Sequence, residues 1–168
     1  MEKILLAIDG ITPNKKIFRY AVQLCQQIRA GLNILQIIRP EIKKVRKKAD
    51  NARKYFEGFM VVATFAEAGE HETAKAMMTQ EMMAEAFKNI NRLLPESEKA
   101  GIPYQLTMRA GNPCKEIKNY IKEHRDVVLA IYDSNGEGHD ARGVVKKKNT
   151  VPKKIKRALS IPVVTIRC

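Results

Sequence analysis

The chain is 168 residues long, 45% hydrophobic and 29% charged, a balance that suits one domain with a full hydrophobic core and excludes a disordered polymer. No apolar run approaches the roughly 20 residues that span a bilayer, the first one stops at Asp9, and Cys25, Cys114 and Cys168 form no C-x-x-C pair. This excludes a membrane span, a signal-peptide core, a disulfide framework and a zinc site, and a cytoplasmic protein is expected.

The net charge of +13 belongs to two segments. Arg39 to Lys54 carries eight Lys/Arg against Glu41 and Asp50, and Arg142 to Arg157 carries eight and no acid, so the rest of the chain is close to neutral. Such runs attract nucleic acid or an anionic membrane surface, or serve as solvated surface that keeps a protein soluble.

In chain order, Ile4 to Ile8 is an uninterrupted apolar run that leaves no solvent face, as in a central strand of a parallel sheet. Asp9 and Gly10 end it, and Thr12 before Pro13 predicts an N-cap and first helical residue. Ile17, Ala21, Leu24, Cys25 and Ile28 then mark one helical stripe, with Gly31 as its stop. Leu32 to Ile38 reads as a second strand, so the strand-helix-strand order implies a right-handed crossover between parallel neighbours. Arg39 to Gly69 is the least regular part and is expected to be an insertion carrying the apolar octet Phe59 to Ala66.

Glu72 to Leu94 has helical periodicity, with Ala76, Met83, Phe87, Ile90 and Leu94 on the predicted buried face, and Pro95 ends or kinks it. Tyr104 to Arg109 alternates like an edge strand. Asn112 and Pro113 open a helix with Ile117 and Ile121 inward. Val127 to Tyr132 is a second fully apolar run and so a second central strand. Ser134 to Asn149 is a Gly-containing basic loop, Thr150 caps a helix bearing Ile155, Ala158 and Leu159, and Pro162 to Arg167 closes the chain as a strand. The expected architecture is α/β: a single domain with an open parallel five-stranded sheet, helices on both faces, and four helices alternating with the strands.

Two places carry candidate chemistry. A carboxylate at a strand end, such as Asp9, accepts hydrogen bonds from ribose hydroxyls or serves as a turn residue, and the spacing leaves both readings open. Gly136, Gly138 and Gly143 leave backbone N–H groups for a phosphate, and Thr150 would add a hydroxyl and a helix dipole on the same anion. No Walker A motif, G-x-G-x-x-G, H-x-x-x-H or G-x-S-x-G occurs. His71, His124 and His139 have no evident partner and read as surface or capping residues.

The element order, Ala7-Ile-Asp-Gly10, Gly111-Asn-Pro113 and Ile161-Pro-Val-Val164 together resemble the universal stress protein family over nearly the whole chain apart from Arg39 to Gly69. The resemblance implies a Rossmann-like, adenine-nucleotide alpha hydrolase-like sheet with the first and fourth strands central, and a homodimer through Val163, Val164 and Ile166. It also implies ATP as ligand, with Mg2+ only as its companion, in a site of Ala7, Ile8, Asp9, Ile38, Tyr132, Gly136, Asn149, Thr150 and Val151. Asp9 matches the ribose-holding position and Thr150 the phosphate-contacting hydroxyl.

The family's Gly-x2-Gly-x9-Gly-Ser/Thr loop is altered here. Tyr132 stands at the first glycine, Asn135 or Gly136 at the second, and Asn149-Thr150 at the last pair, after a longer interval holding Lys146, Lys147 and Lys148. A tyrosine fills space that a nucleotide needs, whereas the lysines supply charge for phosphates. The function expected is a non-enzymatic stress-response or regulatory module with a degenerate phosphate loop, without catalytic residues or a resident metal. An anion-binding module acting through Arg39–Lys54 and Arg142–Arg157 is the alternative. A hydrolase-like enzyme ranks last, since only Asp9 is placed to hold magnesium.

Overall fold

The computed structural model describes residues 1–39, 71–134 and 150–165. The strands are β1 (Lys3–Asp9), β2 (Gly31–Ile38), β3 (Tyr104–Ala110), β4 (Val127–Asp133) and β5 (Val163–Thr165). They form one sheet in the order β3-β2-β1-β4-β5, and every pairing is parallel. The two apolar runs therefore lie side by side at the centre, as their lack of a solvent face demands. Ala7 stands opposite Leu35 on one side and Tyr132 on the other.

Alternation along the strands divides the core into two layers. Ile4, Leu6, Ile8, Leu32 and Ile34 pack against α1 (Lys15–Ile28), and Ile90 of α2 (His71–Asn91) and Leu94 of α3 (Leu94–Lys99) join this layer. Leu5, Ala7, Leu35 and Ile37 point the other way, against Ile117 and Tyr120 of α4 (Pro113–Glu123) and Ile155 of α5 (Thr150–Ala158). The α4 start is as expected: the Asn112 side chain accepts from the N–H of Cys114 and Lys115, and Pro113 sits in the first turn. His124 caps the other end of α4, its ring stacked 4.0 Å from that of Tyr120.

Several expectations are corrected. The cap of α1 is Asn14, whose Oδ1 accepts from the N–H of Lys16 and Ile17 at 2.9 and 3.3 Å, so Thr12 and Pro13 precede the helix. A cap of this kind is worth about 1 kcal/mol. The left-handed stop of α1 is Arg29, at φ 55°, not Gly31. Gly31 is already in the ladder opposite Lys3, with its N–H on the Glu2 carbonyl, so the chain must reverse two residues earlier.

The inward stripe of α2 is Ala74, Met78, Ala86 and Ile90, whereas Phe87 is 51% exposed and Ala76 is exposed. Met77, Met78, Met82 and Met83 make adjacent faces of α2 equally apolar, so periodicity does not choose between them. Small Ala74 and Ala86 decide it by letting the helix approach the sheet. Of the two outcomes expected at Pro95, an end and not a kink is found: the helix stops earlier than Leu94, at Asn91, and Pro95 sits in the first turn of α3, where its missing N–H costs nothing. The described residues thus hold five helices, not four. In α5, Ile155 is buried and Ala158 exposed. The octet Phe59 to Ala66, the insertion beyond Arg39 and the loop glycines lie outside the described residues.

Cys25 is fully buried in the α1 layer, its Sγ 3.7 Å from the Gly31 carbonyl, and desolvation pushes its thiol up to about 11. The reactive thiolate is therefore scarce at pH 8. Alkylation at that pH followed by peptide mapping should label half-buried Cys114 well before Cys25. Equal labelling rates without denaturant would contradict this packing.

Candidate functional site

The site is built where β1, β2 and β4 end together. β1 and β4 are in register, with Ala7 opposite Tyr132 and Ile8 opposite Asp133, and Asp9 pairs across β2 with Ile37. Two glycines then fix how the chain leaves the sheet. Gly10 (φ 118°) donates its N–H to the Ile37 carbonyl, and Gly111 (φ 147°) donates to the Ile38 carbonyl, 2.9 and 3.0 Å away. Both φ values lie where L side chains are strained, which is why glycine stands at each. With its last two carbonyls held from either side, β2 delivers Arg39 between the ends of β1 and β3.

Buried polar groups brace this arrangement. Gln36 interrupts the apolar run of β2, and its Nε2 donates to the Gly10 carbonyl at 2.9 Å. Asp133, 1% exposed, accepts the Asn14 N–H at 2.7 Å, tying the end of β4 to the start of α1. A carboxylate at a helix N-terminus is also favoured by the helix dipole, by about 0.3–1 kcal/mol. The Asn89 side chain donates to the Ile11 carbonyl at 3.1 Å, so the turn after β1 is held from α2 as well.

Strand alternation places Asp133 toward α1 but Asp9 and Tyr132 toward the α4/α5 layer. There the Asp9 carboxylate, 2% exposed as a residue, is gripped by its own chain. Arg39 Nε donates to Oδ1 at 2.9 Å and a terminal guanidinium nitrogen donates to Oδ2, in a bidentate fork. The Tyr132 hydroxyl donates to the same Oδ2 at 2.5 Å. Such charge-assisted bonds are roughly twice as strong as neutral ones. The Arg39 side chain keeps 27% of its surface exposed, so the ion pair forms a boundary between core and solvent.

The structure thus brings Asp9 and Tyr132 into direct contact. Ala7, Ile8 and Ile38 stand beside them but are at most 1% exposed, closed within the sheet. Thr150 and Val151 begin α5 on the same side of the sheet, and Gly136 and Asn149 lie outside the described residues. From the sequence Arg39 reads only as the first residue of a basic run, solvated or anion-binding, and its contact with Asp9 is missed. The available signal was its position: one residue past an apolar strand, beside another strand ending in a carboxylate. Asn14, Gln36 and Asp133 were missed as well. Among the described residues no cluster of three His, Cys, Asp or Glu is placed to hold a metal.

No protein-family model matches the sequence, and no curated protein is significantly similar to it. Solved structures do match. A universal stress family protein from Burkholderia pseudomallei has a TM-score of 0.61 at 12% identity, covering 99% of this chain and 96% of its own. The universal stress protein UspA from Lactobacillus plantarum has a TM-score of 0.59 at 14% identity and covers 99% of both chains. The universal stress protein from Archaeoglobus fulgidus, solved in complex with dAMP, has a TM-score of 0.53 at 12% identity, with 99% and 98% coverage. The chain has the universal stress protein fold, with its Rossmann-like parallel sheet.

Proposed function

We propose that this chain is a universal stress protein-like regulatory module, without catalysis of its own, that binds an adenine nucleotide at the carboxyl ends of β1 and β4. The observation that carries the reading is Asp9, a carboxylate held at the end of a central strand by the Tyr132 hydroxyl of the neighbouring strand, in a fold of which one member is solved with dAMP. Crevices at this end of parallel sheets are where open α/β folds take ligands. Asp9 would accept from the ribose hydroxyls, and the start of α5 at Thr150 would meet the phosphates through its N–H groups and dipole. Magnesium would enter only with ATP. The reading includes a homodimer through β5, which among the described residues pairs only with β4 and presents half-buried Val163 and Val164.

Isothermal titration of AMP and of Mg·ATP into the purified protein at about 0.15 M salt tests this. The expected result is saturable binding that weakens at least tenfold in Asp9→Ala, with Thr150→Ala weakening ATP more than AMP. No binding of either ligand by the unaltered protein would contradict the proposal.

A second reading, a surface for nucleic acid, is favoured by the outer face of the α4/α5 layer. Lys115, Lys118 and Lys122 of α4 and Lys153, Lys154, Lys156 and Arg157 of α5 are all exposed. The glutamates of α4, Glu116 and Glu123, are both drawn to Arg109 of β3, at 3.6 and 2.5 Å, which holds Glu123 below its usual carboxylate range. No ion pair involves those lysines among the described residues. Binding of a duplex DNA probe should fall steeply with added salt and weaken several-fold in Lys115→Gln/Lys118→Gln/Lys122→Gln. A salt-independent signal, or none, would remove this reading.

A further inference from the structure

Each acid of α4 and of the turn after it is engaged away from the outer face of the α4/α5 layer. Glu116 and Glu123, seven residues apart, share one stripe of α4, while Lys115, Lys118 and Lys122 share another. No lysine stands three or four residues from either glutamate, so the helix cannot neutralise its own charges in the usual way. Asp126, four residues after Lys122, is taken by Lys3 at 2.9 Å, and α5 carries no acid. Glu123 is met by Arg109, whose terminal nitrogens donate to its two oxygens at 2.5 and 3.4 Å, and the same guanidinium lies 3.6 Å from Glu116. Arg109 is itself fixed: it belongs to β3, its side chain is 25% exposed, and its guanidinium stands 5.5 Å from the centre of the buried Tyr120 ring. Glu116 is seated closely as well, since a Cβ at Gly111 would come within 3.1 Å of its Oε1. A planar fork can reach two carboxylates and lie over a ring at once, which a lysine ammonium does not match.

From this arrangement we infer that Arg109 is the positioning residue of a duplex-binding face: it draws both glutamates of α4 to the β3 edge, so that the lysine stripe meets a phosphate backbone without an opposing charge. The inference rests on the nucleic-acid reading above and adds to it the residue that keeps this face uniformly positive. Lys118 and Lys122, four residues apart, repel each other and have no ion pair among the described residues, a cost to the helix that a bound polyanion removes. A helix is about 10–12 Å across, little more than the screening length of about 8 Å at 0.15 M salt. A carboxylate released from Arg109 on one flank therefore weakens the attraction on the other. The occupant is a nucleic acid and not a membrane surface, because helices that lie on lipid bury large apolar side chains in it. Among the described residues the exposed large apolar side chains are Met1, Tyr20, Ile28 and Phe87, none of them on α4 or α5.

The test is binding of a duplex DNA probe, over a range of salt, to the full chain, to Arg109→Gln and to Arg109→Gln/Glu116→Gln/Glu123→Gln. Arg109→Gln should bind at least threefold more weakly than the unaltered protein. The triple variant, which has no glutamates left to hold, should recover both the affinity and the salt dependence of the unaltered protein. Unchanged binding by Arg109→Gln would overturn the inference while leaving the basic face intact. A triple variant that stays weak, with a salt slope lower by about 0.9, would make Arg109 a direct phosphate contact and overturn its positioning role. Failure of the unaltered protein to bind the duplex would overturn both readings, and tighter binding to phosphatidylserine vesicles than to DNA would overturn the choice of partner. Should Arg109→Gln not fold, spectra of the unaltered chain labelled with 15N decide: on addition of duplex the lysine ammonium signals of α4 should shift and the Arg109 guanidinium signal should stay, and a shift of the Arg109 signal as large as theirs would overturn the inference.

Discussion

A carboxylate at the end of a strand buried on both faces must have a partner. Asp9 follows Ile4 to Ile8, all at most 1% exposed, so its side chain enters a medium where an isolated ion would cost several kcal/mol. The ends of β2 and β4 answer that demand with a guanidinium from Arg39 and a hydroxyl from Tyr132. Removing one partner of such a pair costs about 3–5 kcal/mol, because the other is left uncompensated. The remaining features of this end of the sheet follow from holding the pair in place: two glycines with positive φ that fix where Arg39 emerges, Gln36 on the Gly10 carbonyl, and Asp133 on the start of α1.

Period-two alternation lets one strand end serve two purposes. On β4, Tyr132 faces the α4/α5 layer and joins Asp9, whereas its neighbour Asp133 faces α1 and satisfies a helix N-terminus. Two acidic side chains at adjacent strand ends therefore sit on opposite faces, one on the start of a helix and one on an arginine. Tyr132, the penultimate residue of β4, serves the core and the site together. Its ring fills the α4/α5 core while its hydroxyl bonds the carboxylate.

The fold was legible because it rests on contiguous signals. Fully apolar Ile4 to Ile8 and Val127 to Tyr132 identify central strands, alternation at Tyr104 to Arg109 identifies an edge, and Asn112-Pro113 announces a helix start. Where several residues offered the same signal, the sequence was ambiguous. Asn14 capped α1 instead of Thr12 because the path from Gly10 to Asp133 fixes which N–H faces a carboxylate, and four clustered methionines hid the true face of α2. The site was legible only in part. Asp9 and Tyr132 stand out as strand-end residues, but their contact depends on the β1/β4 register, and that of Arg39 on β2 running one residue past the level of Asp9. Register is a long-range property that no local pattern of charges reveals, so an arginine bound to a buried carboxylate looks like one more cation in a basic run.

The measurement that tests this account most directly is a double-mutant cycle on stability, with Asp9→Asn, Arg39→Gln and the double variant compared by chemical denaturation. The account predicts strong coupling: each single change is destabilising, and the double variant is more stable than additivity allows by about 0.5–3 kcal/mol, the range for residues in direct contact. Additive effects within about 0.5 kcal/mol would show that Asp9 and Arg39 do not depend on each other in solution and would contradict the central claim.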